Sequence, residues 1–483
     1  MDASGVSTFK GSLTTSSDAA PDEEFVTLLK KLDLQKYFPG KMSRDDVLVL
    51  VDEDLEDKKI EKQEDLCRFF LHRLLSCNYN ARDLETVTEK GTNITYMGQD
   101  KNLAFGASNT SASAIRQMFG PRTNRTVPDA RFSCSRSTES QSNAIHPLDI
   151  VAAVFMCSDP ILKQDIASLL WKCKLAIPFI TSIGIHGIPI VHVWPLKSII
   201  AKWSKDANLV AEEGSIISCP FLTIGFIRFQ SDSVKKSQII NTIMSDTERS
   251  HPIFYHRNSI GSTKRRIISD GMVEISWYLP NGSADNMCHE PVTVLNLRGN
   301  AANYPRQLHI VTEMVSICCI VCPASDLASE DKQNIIESIQ KKNKLIIVVT
   351  YDNEDTKGMP VMRIENNLLI LNTECLTDAK LKEHVRLFLK EWEGNQSIIR
   401  TSIETFSWGD ISVDQNTKEI KDGISQAELV MKYVMHEEME YRKERLLPLH
   451  RDLWRNWVDT ESEIQRLKKI PKLRDITDYR KKK

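Results

Sequence analysis

The sequence predicts an α/β layer fold with a mainly parallel sheet, preceded by a small all-α module and followed by a charged helical segment. Three observations predict it. From residue 221 onward, short apolar runs of strand length alternate with segments of helical spacing, the pattern of a parallel sheet covered by helices. Between 23 and 85 apolar residues recur at helical spacing only. After 424 the chain is charged and helix-like, beginning ISQAELVMKYVM.

Taken in order, residues 1–22 are rich in Ser, Thr, Ala and Gly and read as a disordered tail. Residues 23–85 form the helical module, SAM-like or death-fold-like. Phe25, Leu28, Leu29 and Leu32 mark its first helix, SRDDVLVLV with Ser43 as N-cap its second, and EDLCRFFLHRLLSC its third. It carries no catalytic cluster, so protein interaction is its expected role. Residues 86–145, with GASNTSASA and SCSRSTESQSN, read as a linker. The stretch 146–220 reads as a helical segment with two patterns, HPLDIVAAVFMCSDPILKQDIASLLWKC and WPLKSIIAKW, around a buried loop-and-strand piece, LAIPFITSIGIHGIPIVHVWPL. Three prolines in that piece argue against a membrane span. Residues 221–424 hold the strands FLTIGFIRF, MVEISWYLP, PVTVLNL, VSICCIVC, KLIIVVT and NLLIL. Their helices are KKSQIINTIM, SEDKQNIIESIQKK and DAKLKEHVRLFLKEW. Residues 425–483 complete the helical end.

Composition narrows the function classes. Of 483 residues, 41% are hydrophobic and 27% charged, enough apolar content for packed cores. The formal net charge of −2 argues against nucleic acid or membrane as a partner of the whole chain. The N-terminus has no apolar signal core, so the 11 cysteines are expected to be reduced thiols in the cytosol. The Cys319–Cys322 pair lies inside an apolar strand and reads as packing, not as a zinc site.

The chemistry concentrates at the ends of the predicted strands. After FLTIGFIRF comes the loop Gln230, Ser231, Asp232, Ser233, Val234 and Lys235, then Lys236, Ser237 and Gln238 opening a helix. A Lys-Ser pair there is the ending of a phosphate loop. The N–H groups and dipole of a helix start attract phosphate, the lysine reaches the β- and γ-phosphates, and the serine ligates magnesium. Gln230 and Lys235 stand where that loop normally has glycine, so the motif is degenerate. The third strand ends Asn296-Leu297-Arg298-Gly299, in register with the D-x-x-G of a GTPase but with Asn for Asp. The fifth ends Thr350-Tyr351-Asp352-Asn353, where Thr350 and Asp352 fit the guanine-reading position only in part. Between the first two strands Thr263 is the threonine available to close on magnesium and the γ-phosphate, and His251, His256, Arg257 and Arg265 add charge.

These residues carry a resemblance. GFIRFQSDSVKKSQIIN, RRIISDGMVEISWYLPNG, PVTVLNLRGNA, HPLDIVAAVFMCSD and MEYRKERLLPLHRDLWRNWVDTESE resemble the interferon-induced very large GTPase and up-regulator of cell proliferation family. The resemblance implies a P-loop GTPase-like domain over 221–424, with GTP and Mg2+ as cofactors. Lys236 takes the phosphate role and Ser237 the metal role, while Asn296 and Gly299 match in position only; Thr263 is a metal candidate by its place in the loop alone. It also implies a cytoplasmic protein, or one both cytoplasmic and nuclear, and a chain that is a truncated form or short paralogue of longer members. The expected partners are GTP and a protein bound through the N-terminal helical module; a homo-oligomer is compatible with the sequence. Two functions stay open: a GTP-binding protein with slow GTPase activity, or a nucleotide-free pseudo-GTPase scaffold working through protein contacts. No catalytic residue is assigned, because Asn296 cannot supply the charge that steadies the metal in phosphoryl transfer.

Overall fold

A computed structural model describes residues 23–50, 58–87, 144–183, 187–207, 209–229, 235–246, 251–283, 285–327, 329–350, 361–364, 368–373, 375–395, 398–435 and 452–468. The expected tail, nearly all of the linker, and site residues Gln230 to Val234 and Asp352 lie outside the described residues. The chain divides into two units, Met1–Val413 and Asp414–Lys483, the division falling ahead of the expected boundary at 424.

The first unit begins with helices α1 (Glu23–Lys31), α2 (Arg44–Leu50) and α3 (Leu66–Leu75). Ser43 caps α2 reciprocally: its hydroxyl accepts from Asp46 N–H, while the Asp46 carboxylate accepts from Ser43 N–H at 2.8 Å. Next come α4 (Pro147–Cys157) and α5 (Pro160–Lys172). The sequence pattern treats these two as one; Asp159 divides them, accepting from Leu162 N–H at 2.7 Å ahead of Pro160 at the first helical turn. The helical module does not stand apart. Phe25, Leu28, Phe70 and Leu74 share one hydrophobic cluster with Val151 and Phe155 of α4, and Met42 exchanges backbone hydrogen bonds with Cys157 and Asp159 at 2.8 Å each.

Strands β1 (Ile177–Thr181) and β2 (Ile190–Val191) follow. WPLKSIIAKW departs from its expected helix. Trp194–Ser198 form a 3-10 turn, and Ile200–Trp203 form β3, paired with β4 (Glu212–Ser215) in a two-stranded ribbon. The reason is its period: Ile200 and Lys202 are exposed while Ala201 and Trp203 are buried, an alternation of two.

The next six expected strands all form: β5 (Leu222–Arg228), β6 (Val273–Tyr278), β7 (Val292–Leu297), β8 (Ile317–Pro323), β9 (Lys344–Thr350) and, after a short β10 (Val361–Ile364), β11 (Leu368–Asn372). Between them lie α6 (Lys236–Met244), α7 (Pro305–Met314), the short α8 (Ala324–Leu327) and α9 (Glu330–Gln340), with α10 (Asp378–Glu393) after β11. With β12 (Ser412–Val413), the sheet runs β10-β11-β9-β8-β5-β7-β6-β1-β2-β12. Strands β11, β9, β8, β5 and β7 are mutually parallel, and β6 is antiparallel to β7.

Alternate residues of these strands build two cores. Phe226, Val294, Val321 and Val348 pack with Ile240 of α6 and Phe388 of α10. Ile227, Leu295, Ile320 and Ile347 join the cluster of Val311 from α7, Ile336 from α9 and the N-terminal helices. Helices therefore cover both faces, which is why the strands read as continuous apolar runs. Gly225 in the middle of β5 admits α7: a Cβ there would meet Val315 and Val311 side-chain carbons at 2.8 and 2.9 Å. From β5 the chain goes first to one side, to β7, and then to the other, to β8. The crevice beyond the carboxyl end of β5 is thus the topological switch point, where such sheets bind ligands.

The second unit, described by itself, contains α11 (Lys418–Met435) and α12 (Asp452–Lys468), the latter with Trp454 stacked on Trp457 at 4.9 Å between centroids. No helix of the described residues is long and apolar enough to cross a membrane.

Candidate functional site

At the switch point β5 ends in Arg228 and α6 opens with Lys236 and Ser237. Lys235 occupies the N-cap without a side-chain cap, so the first-turn N–H groups of α6 have no side-chain acceptor from that residue. Lys236 is only 4% exposed. Its ammonium donates to the carbonyl of Phe226 at 3.3 Å and to that of Leu297, at the ends of β5 and β7. It makes no ion pair with a carboxylate among the described residues. Burial, with Arg298 and Arg228 nearby, pushes its pKa well below the ordinary lysine value.

Asn296 of β7 lies beside Ser237. Its amide Nδ2 is 3.5 Å from the Ser237 hydroxyl and donates to Glu274 Oε2 at 3.1 Å, while its Oδ1 is buried without a hydrogen-bond partner among the described residues. The neighbour follows from register: Glu274 of β6 pairs opposite Asn296, so both project from the same face. Arg298, just past β7, donates through Nε to Glu274 Oε2 at 2.6 Å, and through Nη1 to the Ser237 hydroxyl and the Tyr255 carbonyl, both at 2.8 Å. Arg228 donates to the carbonyl of Gly299 at 3.2 Å. Gly299 has φ +79, and a Cβ there would stand 3.2 Å from the Asp270 carboxylate, so the turn that places this carbonyl favours glycine.

A fourth cation comes from the N-terminal module. Arg82 lies past α3 and is 5% exposed. Its Nη2 donates to Ile253 O at 2.8 Å, and its Nη1 is 3.9 Å from Glu274 Oε1. Burial lowers its pKa to about 10 despite Glu274.

The structure thus brings Lys236, Ser237 and Asn296 together, with Gly299 at the rim. Lys235 is exposed, and Gln238 lies one position further along the helix. Thr350 donates to the Cys322 carbonyl at 3.5 Å, at the carboxyl end of β9. Strand β8 separates it from β5, a distance of about two strand spacings of 4.8 Å. Thr263 is exposed on a turn whose Gly261 packs against Pro147, and no hydrogen bond ties it to Ser237.

The loop carrying Thr263 is anchored elsewhere. Buried Asp149 of α4 accepts from the N–H groups of Ile267, Ile268 and Ser269 at 2.8, 3.1 and 2.8 Å. Arg265 forks onto Glu24 of α1 at 2.8 and 3.0 Å. Asp149→Ala removes the acceptor of three N–H groups and is expected to cost at least about 1–3 kcal/mol, read as a lowered unfolding midpoint. An unchanged midpoint would show that the loop is held by other contacts.

Sequence reading missed Arg82, Arg228, Glu274 and Arg298. Three of them gave a signal: a charged residue at an inward-facing position of an otherwise apolar strand, or just beyond its end. The Cys319–Cys322 pair sits buried on β8, where burial pushes the Cys322 thiol up to about 12, in keeping with inert packing. Among the described residues no group of three His, Cys, Asp or Glu could hold a metal.

A sheet in this strand order, with Lys-Ser opening the helix after its central strand, defines an α/β domain of the P-loop GTPase-like class. More particularly, the chain belongs to the up-regulator of cell proliferation-like family. The model of the up-regulator of cell proliferation-like domain matches residues 145–431, and that of the family's N-terminal domain matches 25–102. The chain is 26% identical over 457 residues to interferon-induced very large GTPase 1 of Mus musculus, which covers 92% of this chain and 18% of that protein. It is 24% identical over 479 residues to the up-regulator of cell proliferation of Homo sapiens, covering 93% and 49%. A shorter match, 31% over 182 residues, is to human caspase recruitment domain-containing protein 6, covering 36% of this chain and 17% of that one. The chain therefore spans less than half the length of these relatives.

Proposed function

We propose that the chain binds GTP, with its phosphates at the N-terminus of α6, and hydrolyses it slowly. The observation that carries this reading is Lys236: an ammonium 4% exposed, bonded to carbonyl oxygens and surrounded by further cations. Burying charge is costly, the nearby carboxylate of Glu274 is already bonded to Arg298, and a polyanion at the switch point would supply further counter-charge. Arg298, Arg228 and the N–H groups of Lys236 and Ser237 at the start of α6 reinforce the same preference. The choice of guanine rests on relatives named as GTPases and on the strand end at Thr350.

The reaction needs charge placed around the transferring phosphoryl group. Asn296 offers a neutral amide where a GTPase has a carboxylate, so binding is expected to be far more developed than turnover. Calorimetric titration of the whole chain with GTP and ATP tests this. One site that prefers GTP is the expected result, with GDP appearing only slowly by chromatography. No heat at millimolar GTP would overturn the proposal.

Magnesium is the cation this fold family uses, and the donor set among the described residues does not fit it. The Ser237 hydroxyl accepts a hydrogen bond from a guanidinium, Thr263 is exposed, and the nearby carboxylate, Glu274, is already paired with Arg298. Among the described residues Asn296 Oδ1 is the remaining oxygen, and it carries no charge.

A further inference from the structure

We infer that the guanidinium of Arg298 takes the place of the divalent cation, so that the nucleotide is held without magnesium. This rests on the phosphate reading of the site given above.

The geometry comes first. The serine after a phosphate-loop lysine ligates the cation through its hydroxyl. Here the Ser237 hydroxyl is 2.8 Å from Arg298 Nη1, a positive group at the position the metal would need. A cation in this class of site also needs an acidic counterpart. Asn296 has lost that role, but Glu274, opposite it on β6, restores a carboxylate to the same place and gives it to Arg298 at 2.6 Å. Arg298 is fixed from a third side by the Tyr255 carbonyl at 2.8 Å. Three acceptors, on a helix, a strand and a loop, hold the guanidinium, and Arg298 is 4% exposed.

Charge gives a second argument. A dication bound by one carboxylate leaves one positive charge in excess. Arg298 and Arg82 against Glu274 leave the same excess, spread over two guanidinium groups. The cation function is thus replaced in sign and in amount, not merely deleted. A guanidinium stays protonated even when burial lowers its pKa, as it does here. It also suits phosphate oxygens, to which it donates in its own plane. A magnesium ion entering beside Ser237 would meet this fixed positive group at close range.

The test compares GTP affinity of the full chain in magnesium buffer and in EDTA, by fluorescence anisotropy of a methylanthraniloyl-GTP probe. Affinity within about twofold in the two buffers is the expected result. A loss of about tenfold or more on chelation would overturn the inference while leaving the phosphate reading in place. Absence of binding in both buffers would remove the phosphate reading, and this inference with it. In EDTA, Arg298→Gln is expected to weaken binding about tenfold, with partial recovery on adding magnesium, because Ser237 and Glu274 then no longer hold the Arg298 guanidinium. An Arg298→Gln chain that binds as tightly as wild type in EDTA would also overturn the inference. Should that variant fail to fold, the wild-type comparison decides alone.

Discussion

Lys236→Met is expected to raise the stability of the nucleotide-free protein while abolishing GTP binding. The two effects have opposite signs because they have one cause. In the free protein the ammonium is buried beside Arg298, Arg228 and Glu274, and among the described residues it bonds to strand carbonyls. Methionine fills a similar volume without the desolvation cost, and replacing buried charge with packed apolar groups stabilises by about 1–4 kcal/mol in favourable cases. The pH dependence follows from the lowered pKa. Between the folded pKa of Lys236 and its unfolded value near 10.5, the unfolded chain binds the extra proton. The stability of the wild type therefore rises with pH through that window, and it falls to its lowest Lys236 contribution below it. Lys236→Met should flatten this slope. Thermal unfolding at a series of pH values, with and without GTP, reads all three effects. A variant both less stable and flat in pH would mean that the lysine serves packing, not phosphate.

Much of this was legible in the sequence, for identifiable reasons. Strands β5 to β9 and β11 bury both faces, so FLTIGFIRF, VSICCIVC and KLIIVVT stand out as apolar runs of strand length. Lys236 and Ser237 were found because a strand end, a loop and a helix start are all local in sequence. The helix α7 was missed because PRQLHIVTEM mixes polar residues into a stretch whose Val311 packs on Gly225 of the sheet. The short strand β1 contains Pro178 and β2 follows Pro189, and they gain their pairing from each other, from β6 and from β12. Arg82 was invisible for a deeper reason: it belongs to a helical module, and its carboxylate partner lies on a strand far along the chain. No periodicity reports a buried ion pair between distant segments. Arg298 did stand as a charge just beyond a strand end, but its partner Glu274 comes into view only through the register of β6 and β7.

Glu274→Gln is expected to be the most destabilising single change at the site. Glu274 is 1% exposed and is shared by Arg298 and Arg82, both buried. Removing one partner of a buried pair leaves uncompensated charge and costs about 3–5 kcal/mol. Here two guanidinium groups lose their counter-ion at once. One of them comes from the N-terminal module, so the loss should also loosen that module, seen as faster proteolysis between α3 and α4. The double variant Glu274→Gln/Arg298→Met removes one of the stranded charges and is expected to be more stable than Glu274→Gln alone. A double-mutant cycle on urea unfolding midpoints measures the coupling. Additive single effects would show that the three charges do not act as a unit.

The central claim is that Lys236 lies against the phosphates of bound GTP. A GTP acyl-phosphate probe tests it most directly, since the amine nearest the phosphates attacks the acyl carbonyl and keeps the label as GTP departs. Burial lowers the pKa of Lys236 and so favours the neutral amine this attack requires. The account predicts a label on Lys236, resolved from Lys235 by peptide fragmentation and suppressed by excess GTP. Label confined to other lysines, or label on Lys236 that GTP does not suppress, would contradict it.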